Sequence, residues 1–163
     1  YIGFGSMTSR DPEATLQLLL AALAKSGQRG IIHSGWAGLN SESLPANVFL
    51  LEGAPHSWLF PRMAAVVHHG GAGTTSAALR AGVPSAVVAH IGDQPFWGRR
   101  IHELGVGAPP LRRHQLTVDN LSETIRLLMS DAPLRQRASA FGERLRAEDG
   151  IGNAVRAFER FVT

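Results

Sequence analysis

Short, unbroken apolar runs alternate along this chain with longer stretches in which apolar residues recur every three or four positions. The runs are "YIGF", "GIIH", "NVFLL", "AAVVHH" and "SAVVAHI", each soon followed by glycine or serine. Runs apolar at every position predict strands buried on both faces, as in a parallel sheet. Leu16, Leu19, Leu20 and Leu23 recur at i, i+3, i+4 and i+7 and predict a helix with one buried face. Asp11, Pro12 and Glu13 read as its start and Gly27 as its end. "HSWLFPRM" predicts a short helix stopped near Pro61. A helix is expected from about Thr75 to Ala81, punctuated by Gly82 and Pro84, and another over "QPFWGRRIHELG". "VGAPPL" reads as a short edge strand, because paired prolines cannot sit in a central ladder. Three helical segments follow, at about 118–130, 133–148 and 153–162.

Strands alternating with helices predict the α/β class, a doubly wound, Rossmann-like parallel sheet forming one domain over residues 1–163. Ligands of such sheets bind beyond the carboxyl ends of the strands, near a reversal in strand order. Four turns fall at such ends: "GFGS", "HSGW", "EGAPH" and "HHGGAGTT". No internal repeat and no low-complexity linker interrupts the pattern.

Composition narrows the function classes. The 163 residues suffice for a core, and 44% hydrophobic with 18% charged content is ordinary for a soluble globular chain. The net charge of +3 comes from fifteen arginines and one lysine. From Leu111 onward nine arginines mix with seven acids, which reads as solvated helix faces. No basic block interleaves with aromatics, so nucleic acid is not an expected partner. The absence of cysteine excludes disulfides, zinc–thiolate sites and thiol catalysis. His33, His90, His102 and His114 lack the spacing of a metal site, and no metal is assigned. The chain begins in an apolar run without an initiator Met or basic leader, so a longer polypeptide with an upstream domain is expected. No apolar run approaches the ~20 residues of a membrane span. A cytoplasmic location is expected, with peripheral membrane association of the full-length protein left open.

The stretch "VVHHGGAGTTSAALRAGVP", Val66 to Pro84, concentrates the candidate chemistry. It is not a P-loop, since no G-x-x-x-x-G-K-[ST] occurs. Gly71 to Ser76 reads G-x-G-x-x-S, close to a dinucleotide fingerprint, with Asp93 downstream as a candidate ribose acid. That fingerprint normally follows the first strand, whereas this copy follows the fourth, and Asp93 lies past its strand. A diphosphate fits better. A helix start exposes unpaired N–H groups and partial positive charge. Gly70, Gly71 and Gly73 let an anion approach the backbone, and the Thr74 and Thr75 hydroxyls can donate. His69 is the one ionisable donor in the turn.

From "YIGFGSM" through "APHSWLFPRMAAVVHHGG" and "HHGGAGTTSAALRAGVPSAVVAHIGDQPFWGRRIHELGVG" to the closing helices, the chain resembles the nucleotide-sugar-binding C-terminal half of GT-B glycosyltransferases. Sterol glucosyltransferases and antibiotic-aglycone glycosyltransferases are similar in these motifs. The resemblance implies an inverting, metal-independent transfer of a hexose from a UDP-sugar, UDP-glucose foremost, to a lipophilic acceptor hydroxyl, with no cofactor. It also implies an N-terminal acceptor domain that carries the catalytic base and lies outside this chain. His69 matches the histidine that stabilises the leaving diphosphate, and Gly71, Gly73 and Thr74 match positions that cradle it. Asp93 and Gln94 match the acid–amide pair that reads the sugar hydroxyls. Ala54, Pro55 and His56 fall where the family holds base and ribose, and Gly5 and Ser6 form a first turn facing the diphosphate. Plant members stack a tryptophan on uracil where Gly53 stands here, so Trp36 or Trp58 is expected to supply the flat surface. "AHIGDQ" also lacks the family's usual proline before the acid–amide pair.

Blander roles stand beside these. His68 reads as a strand-end residue with a satisfied hydrogen bond, Trp58 and Trp97 as packing, and Asp93 as the N-cap of the next helix. Two alternative functions remain at this point: a non-catalytic nucleotide-sugar-binding module and an NAD-binding domain. Intact His69, Asp93 and Gln94 disfavour the first.

Overall fold

The computed structural model describes residues 1–34 and 44–162. Among the described residues six strands form one parallel sheet: β1 (Ile2–Gly3), β2 (Gly30–His33), β3 (Val48–Leu51), β4 (Val66–His68), β5 (Ser85–Ala89) and β6 (Leu111–Arg112). Their order is β3-β2-β1-β4-β5-β6, so the strand order reverses between β1 and β4. Ile2 stands beside both Ile32 and Val67, and His68 lies between Gly3 and Val87. The predicted doubly wound class is the observed one.

The described residues form seven α-helices, of which the last buries no residue: α1 (Pro12–Ser26), α2 (His56–Leu59), α3 (Ala72–Ala81), α4 (Gln94–Glu103), α5 (Val118–Ser130), α6 (Ala132–Ala147) and α7 (Gly150–Val162). The predicted periodicity sets α1: Leu16, Leu19 and Leu23 are buried, and Asp11 Oδ1 accepts from Ala14 N at 2.9 Å. These leucines join Ile32, Val67 and Val88 of the sheet and Leu121 and Leu128 of α5 in one core layer. On the other face Phe60, Val66 and Ala78 pack together, and Val87 meets Ile101 of α4 and Ala138 of α6. α7 leaves Ile151, Phe158 and Phe161 exposed. Among the described residues no helix is long and apolar enough to cross a membrane.

Two boundaries differ from expectation. α3 starts at Ala72 instead of about Thr75, because Gly71 is its N-cap and Gly73 lies within its first turn. The expected edge strand "VGAPPL" forms only in part: Gly107 bridges Ser85, the two prolines interrupt the ladder, and the edge strand proper is its last residue, Leu111, with Arg112.

Candidate functional site

The turns after β1, β3, β4 and β5 lie at the carboxyl edge of the sheet, and the reversal between β1 and β4 brings those after β1 and β4 together. Gly5, in the first turn, has φ +58°. A Cβ there would sit 2.8 Å from His69 Cε1, and one on Gly71 would sit 2.5 Å from His69 Nε2. Two bare backbones therefore form a slot for the His69 ring, and any side chain at either position would displace it. Gly73 differs: a Cβ there meets nothing within 4 Å, so the protein's own packing does not require a glycine. Its bareness leaves open space over the helix start. Ser6 is exposed beside Gly5.

The N-terminus of α3 has no side-chain cap and no acid in its first turn. Its first backbone bond runs from Thr75 N to Gly71 O, so the N–H groups of Ala72, Gly73 and Thr74 precede the helical ladder. Thr75 corrects an expectation. It is buried and its hydroxyl donates back to Gly71 O at 3.0 Å, so it offers nothing to a ligand. Thr74 is only half-buried and retains its hydroxyl. With half-buried His69 alongside, this edge can hold an anion by oriented donors without a fixed cation.

The two adjacent histidines have different environments. His68 is fully buried, and its Nδ1 accepts from Gly70 N at 3.1 Å, which leaves the proton on Nε2 without a described partner. Burial, reinforced by His69 and His56, holds its pKa down at about 3, so it stays neutral and structural. The expected satisfied hydrogen bond is thus present at one nitrogen only. His69 is also held below the ordinary range, first by burial and then by His56, while the Asp93 carboxylate pulls it back up. An imidazole kept neutral in the free site is poised to gain charge when an anion arrives.

Asp93 and Gln94 open α4 and do different things. Asp93 occupies the N-cap position but makes no capping bond, contrary to its blander reading, because its backbone is already helical. Its Oδ2 accepts from Trp97 Nε1 at 2.7 Å. Gln94 is buried, and its Oε1 accepts from His90 N at 2.7 Å and Ile91 N at 3.1 Å. The amide thereby fixes the β5–α4 loop, and only its Nε2, 3.4 Å from Met7 Sδ, is left to meet a ligand.

The opposite flank is built from side chains. Ala54 and Pro55 lead into His56, whose ring stacks on Phe60 with centroids 4.3 Å apart. Tyr1 packs against His56, His33 and Phe60. His33 Nδ1 is buried without a described partner, and burial lowers the pKa of both histidines. Sequence reasoning passed over His33 and Tyr1; the visible signal was a histidine ending an apolar strand in "GIIHSGW". Trp58 is 55% exposed, with the Arg62 guanidinium 4.6 Å over its ring. Two residues apart on a helix, it points away from His56. Trp36 lies outside the described residues. A separate cavity of about 630 Å³ opens at the other end of the strands, lined by Tyr1, Gly30, Val48, Leu128 and others.

The family described as erythromycin biosynthesis protein CIII-like, C-terminal domain matches residues 17–153. The sterol 3-beta-glucosyltransferase UGT80B1 of Arabidopsis thaliana is 48% identical over 164 residues, covering 99% of this chain and 26% of that protein. The chain therefore spans about a quarter of that relative's length. Among solved structures, the glycosyltransferase SnogD from Streptomyces nogalater is 30% identical with a TM-score of 0.71, over 89% of this chain and 38% of that one. Arabidopsis thaliana UGT89C1, solved with UDP-L-rhamnose, shares the fold at 20% identity and a TM-score of 0.74, over 100% and 42%.

Proposed function

Because the chain belongs to the UDP-glycosyltransferase C-terminal domains, within the erythromycin biosynthesis protein CIII-like group, we propose that it is the donor-binding half of an inverting, metal-independent glycosyltransferase. The donor is UDP-glucose and the acceptor a lipophilic alcohol, a sterol or a polyketide-type aglycone. The observation that carries this reading is the uncapped α3 N-terminus beside the slotted His69. Similarity to a sterol glucosyltransferase and to a fold-mate solved with a UDP-sugar supports the choice of donor.

In this reading the diphosphate lies on the N–H groups of Ala72, Gly73 and Thr74, with the Thr74 hydroxyl and His69 donating. As the acceptor hydroxyl, deprotonated by a base outside this chain, attacks the anomeric carbon, the bond to the diphosphate breaks and negative charge grows on the leaving oxygen. Preset dipoles and a histidine able to take up charge stabilise that oxygen without a metal. Asp93 accepts from sugar hydroxyls, and Gln94 holds the loop that presents it. The base and ribose fall on the Ala54–His56 flank.

Titration calorimetry with UDP, dTDP, UDP-glucose and NAD tests this. Saturable binding of UDP and UDP-glucose is expected, with UDP favoured over dTDP and no binding of NAD. The 163 residues alone are expected to bind donor yet transfer no sugar to a sterol or aglycone panel. NAD binding without UDP binding, or efficient transfer by this chain, would contradict the proposal.

A further inference from the structure

An aspartate at an N-cap ordinarily turns its carboxylate onto the first-turn N–H groups. Asp93 does not: its backbone is helical, at φ −80° and ψ −7°, and no capping bond forms. The carboxylate is held from one turn along, where the Trp97 indole N–H donates to Oδ2 at 2.7 Å. That N–H is the indole's single polar group and a donor only, so the whole polar capacity of Trp97 goes to this carboxylate. The half-buried indole is braced edge-on by Phe96, with ring centroids 5.1 Å apart at 74°. Oδ1 of Asp93 accepts from no described residue. An exposed aspartate would otherwise rotate among waters, and ordering it on binding costs affinity. Here one oxygen is tied down in advance and the other is left for something else.

We infer that Trp97 is a positioning residue for the transferred sugar: its indole N–H presets the Asp93 carboxylate so that the remaining oxygen accepts from a hydroxyl of the donor's hexose. The inference rests on the proposed donor reading and deepens it. The indole touches no reacting atom, and its effect passes entirely through Asp93. A tryptophan present only to pack α4 would affect nucleotide and nucleotide-sugar binding alike. A positioning tryptophan affects only the ligand that carries a hexose.

The test is titration calorimetry of the 163-residue chain with UDP and UDP-glucose, using the unaltered protein, Trp97→Phe and Asp93→Ala. Trp97→Phe keeps a ring and removes the donor. UDP affinity is expected to stay unchanged in Trp97→Phe, and in Asp93→Ala, which also takes a carboxylate from beside His69, to move far less than UDP-glucose affinity. UDP-glucose affinity is expected to fall about fivefold in Trp97→Phe, the scale of one side chain ordered on binding, and at least as far in Asp93→Ala. Loss in Asp93→Ala with none in Trp97→Phe overturns the role of Trp97 and leaves the donor reading intact. Equal losses for UDP and UDP-glucose in Trp97→Phe overturn it in favour of packing. No loss in Asp93→Ala removes the sugar contact itself, and the inference falls with it. Should Trp97→Phe not fold, the indole N–H resonance of the unaltered chain is read instead, assigned through Trp36→Phe and Trp58→Phe. It is expected to move with UDP-glucose and not with UDP; a resonance that ignores UDP-glucose overturns the inference.

Discussion

The connections β1–α1 and β4–α3 flank the point where the strand order reverses, and they share one topology: a parallel strand, a glycine turn and a helix. Their helix starts have opposite chemistry. α1 carries its own anion, with Asp11 bonded to Ala14 N and Glu13 in the first turn. α3 begins on Gly71 with no side-chain cap and no acid. α5 and α6 follow the first pattern, capped by Thr117 and Asp131. A helix that serves only the fold answers its first-turn donors from within the chain. One whose donors are left open, at a sheet edge and beside a histidine, is available to a ligand.

The strongest way to break this comparison is His69→Ala. It is expected to weaken UDP binding and, in the longer enzyme, to slow transfer by ~10²–10³, the scale of one lost transition-state donor. His68→Ala should act on stability and far less on transfer, and equal transfer defects would reverse the assignment of the two histidines. A second variant makes α3 resemble α1. A Cβ on Gly73 meets nothing within 4 Å, so Gly73→Asp places a carboxylate at the open helix start without a clash. Calorimetry is expected to show melting unchanged or raised, because an acid suits a helix N-terminus. UDP affinity should fall by ~10² or more, since like charges then share the site. Intact UDP binding in that variant would mean that the diphosphate lies elsewhere.

The β4–α3 turn also has an acid signature. The folded state holds His68 down to a pKa of about 3 against an ordinary 6.5, so between these values the unfolded chain takes a proton that the folded chain refuses. Stability is expected to fall as pH drops through that window, by up to ~1.4 kcal/mol per pH unit, and to stop falling on this account below it. Denaturant titrations of His68→Asn against pH should show a shallower acid limb, and an identical limb would contradict this. The smallest effect concerns the capped partner. Asp11→Ala is expected to cost ~1 kcal/mol of stability by denaturant unfolding and to leave UDP affinity unchanged.

The comparison also explains what the sequence made legible. The apolar runs and the Asp11–Pro12 start announce themselves locally, and β1 to β5 and α1 stand close to where they were expected. The glycines of the β4–α3 turn could be read as an anion site because that site is made of backbone. The same glycines hid the start of α3, since Gly71 and Gly73 look like turn when they are N-cap and first turn. Side-chain partnerships were less visible. That Thr75 bonds back to Gly71, that Gln94 pins His90 and Ile91, and that Trp97 holds Asp93 all depend on the path of a loop or the phase of a helix. The Ala54–His56 flank is built this way throughout. Its ring packing of Tyr1, His33, His56 and Phe60 joins three separate segments, and only the His56–Phe60 pair, four residues apart in one helical stretch, is local.

Backbone amide shifts of the nitrogen-labelled chain, followed by NMR as UDP is added, test the assignment of the diphosphate most directly. Saturable shifts are predicted at His69, Ala72, Gly73 and Thr74, with the capped start of α1 at Ala14 unmoved. Shifts confined to Gly30, Val48 and Leu128 at the other end of the strands, or no saturable change at millimolar UDP, would contradict it.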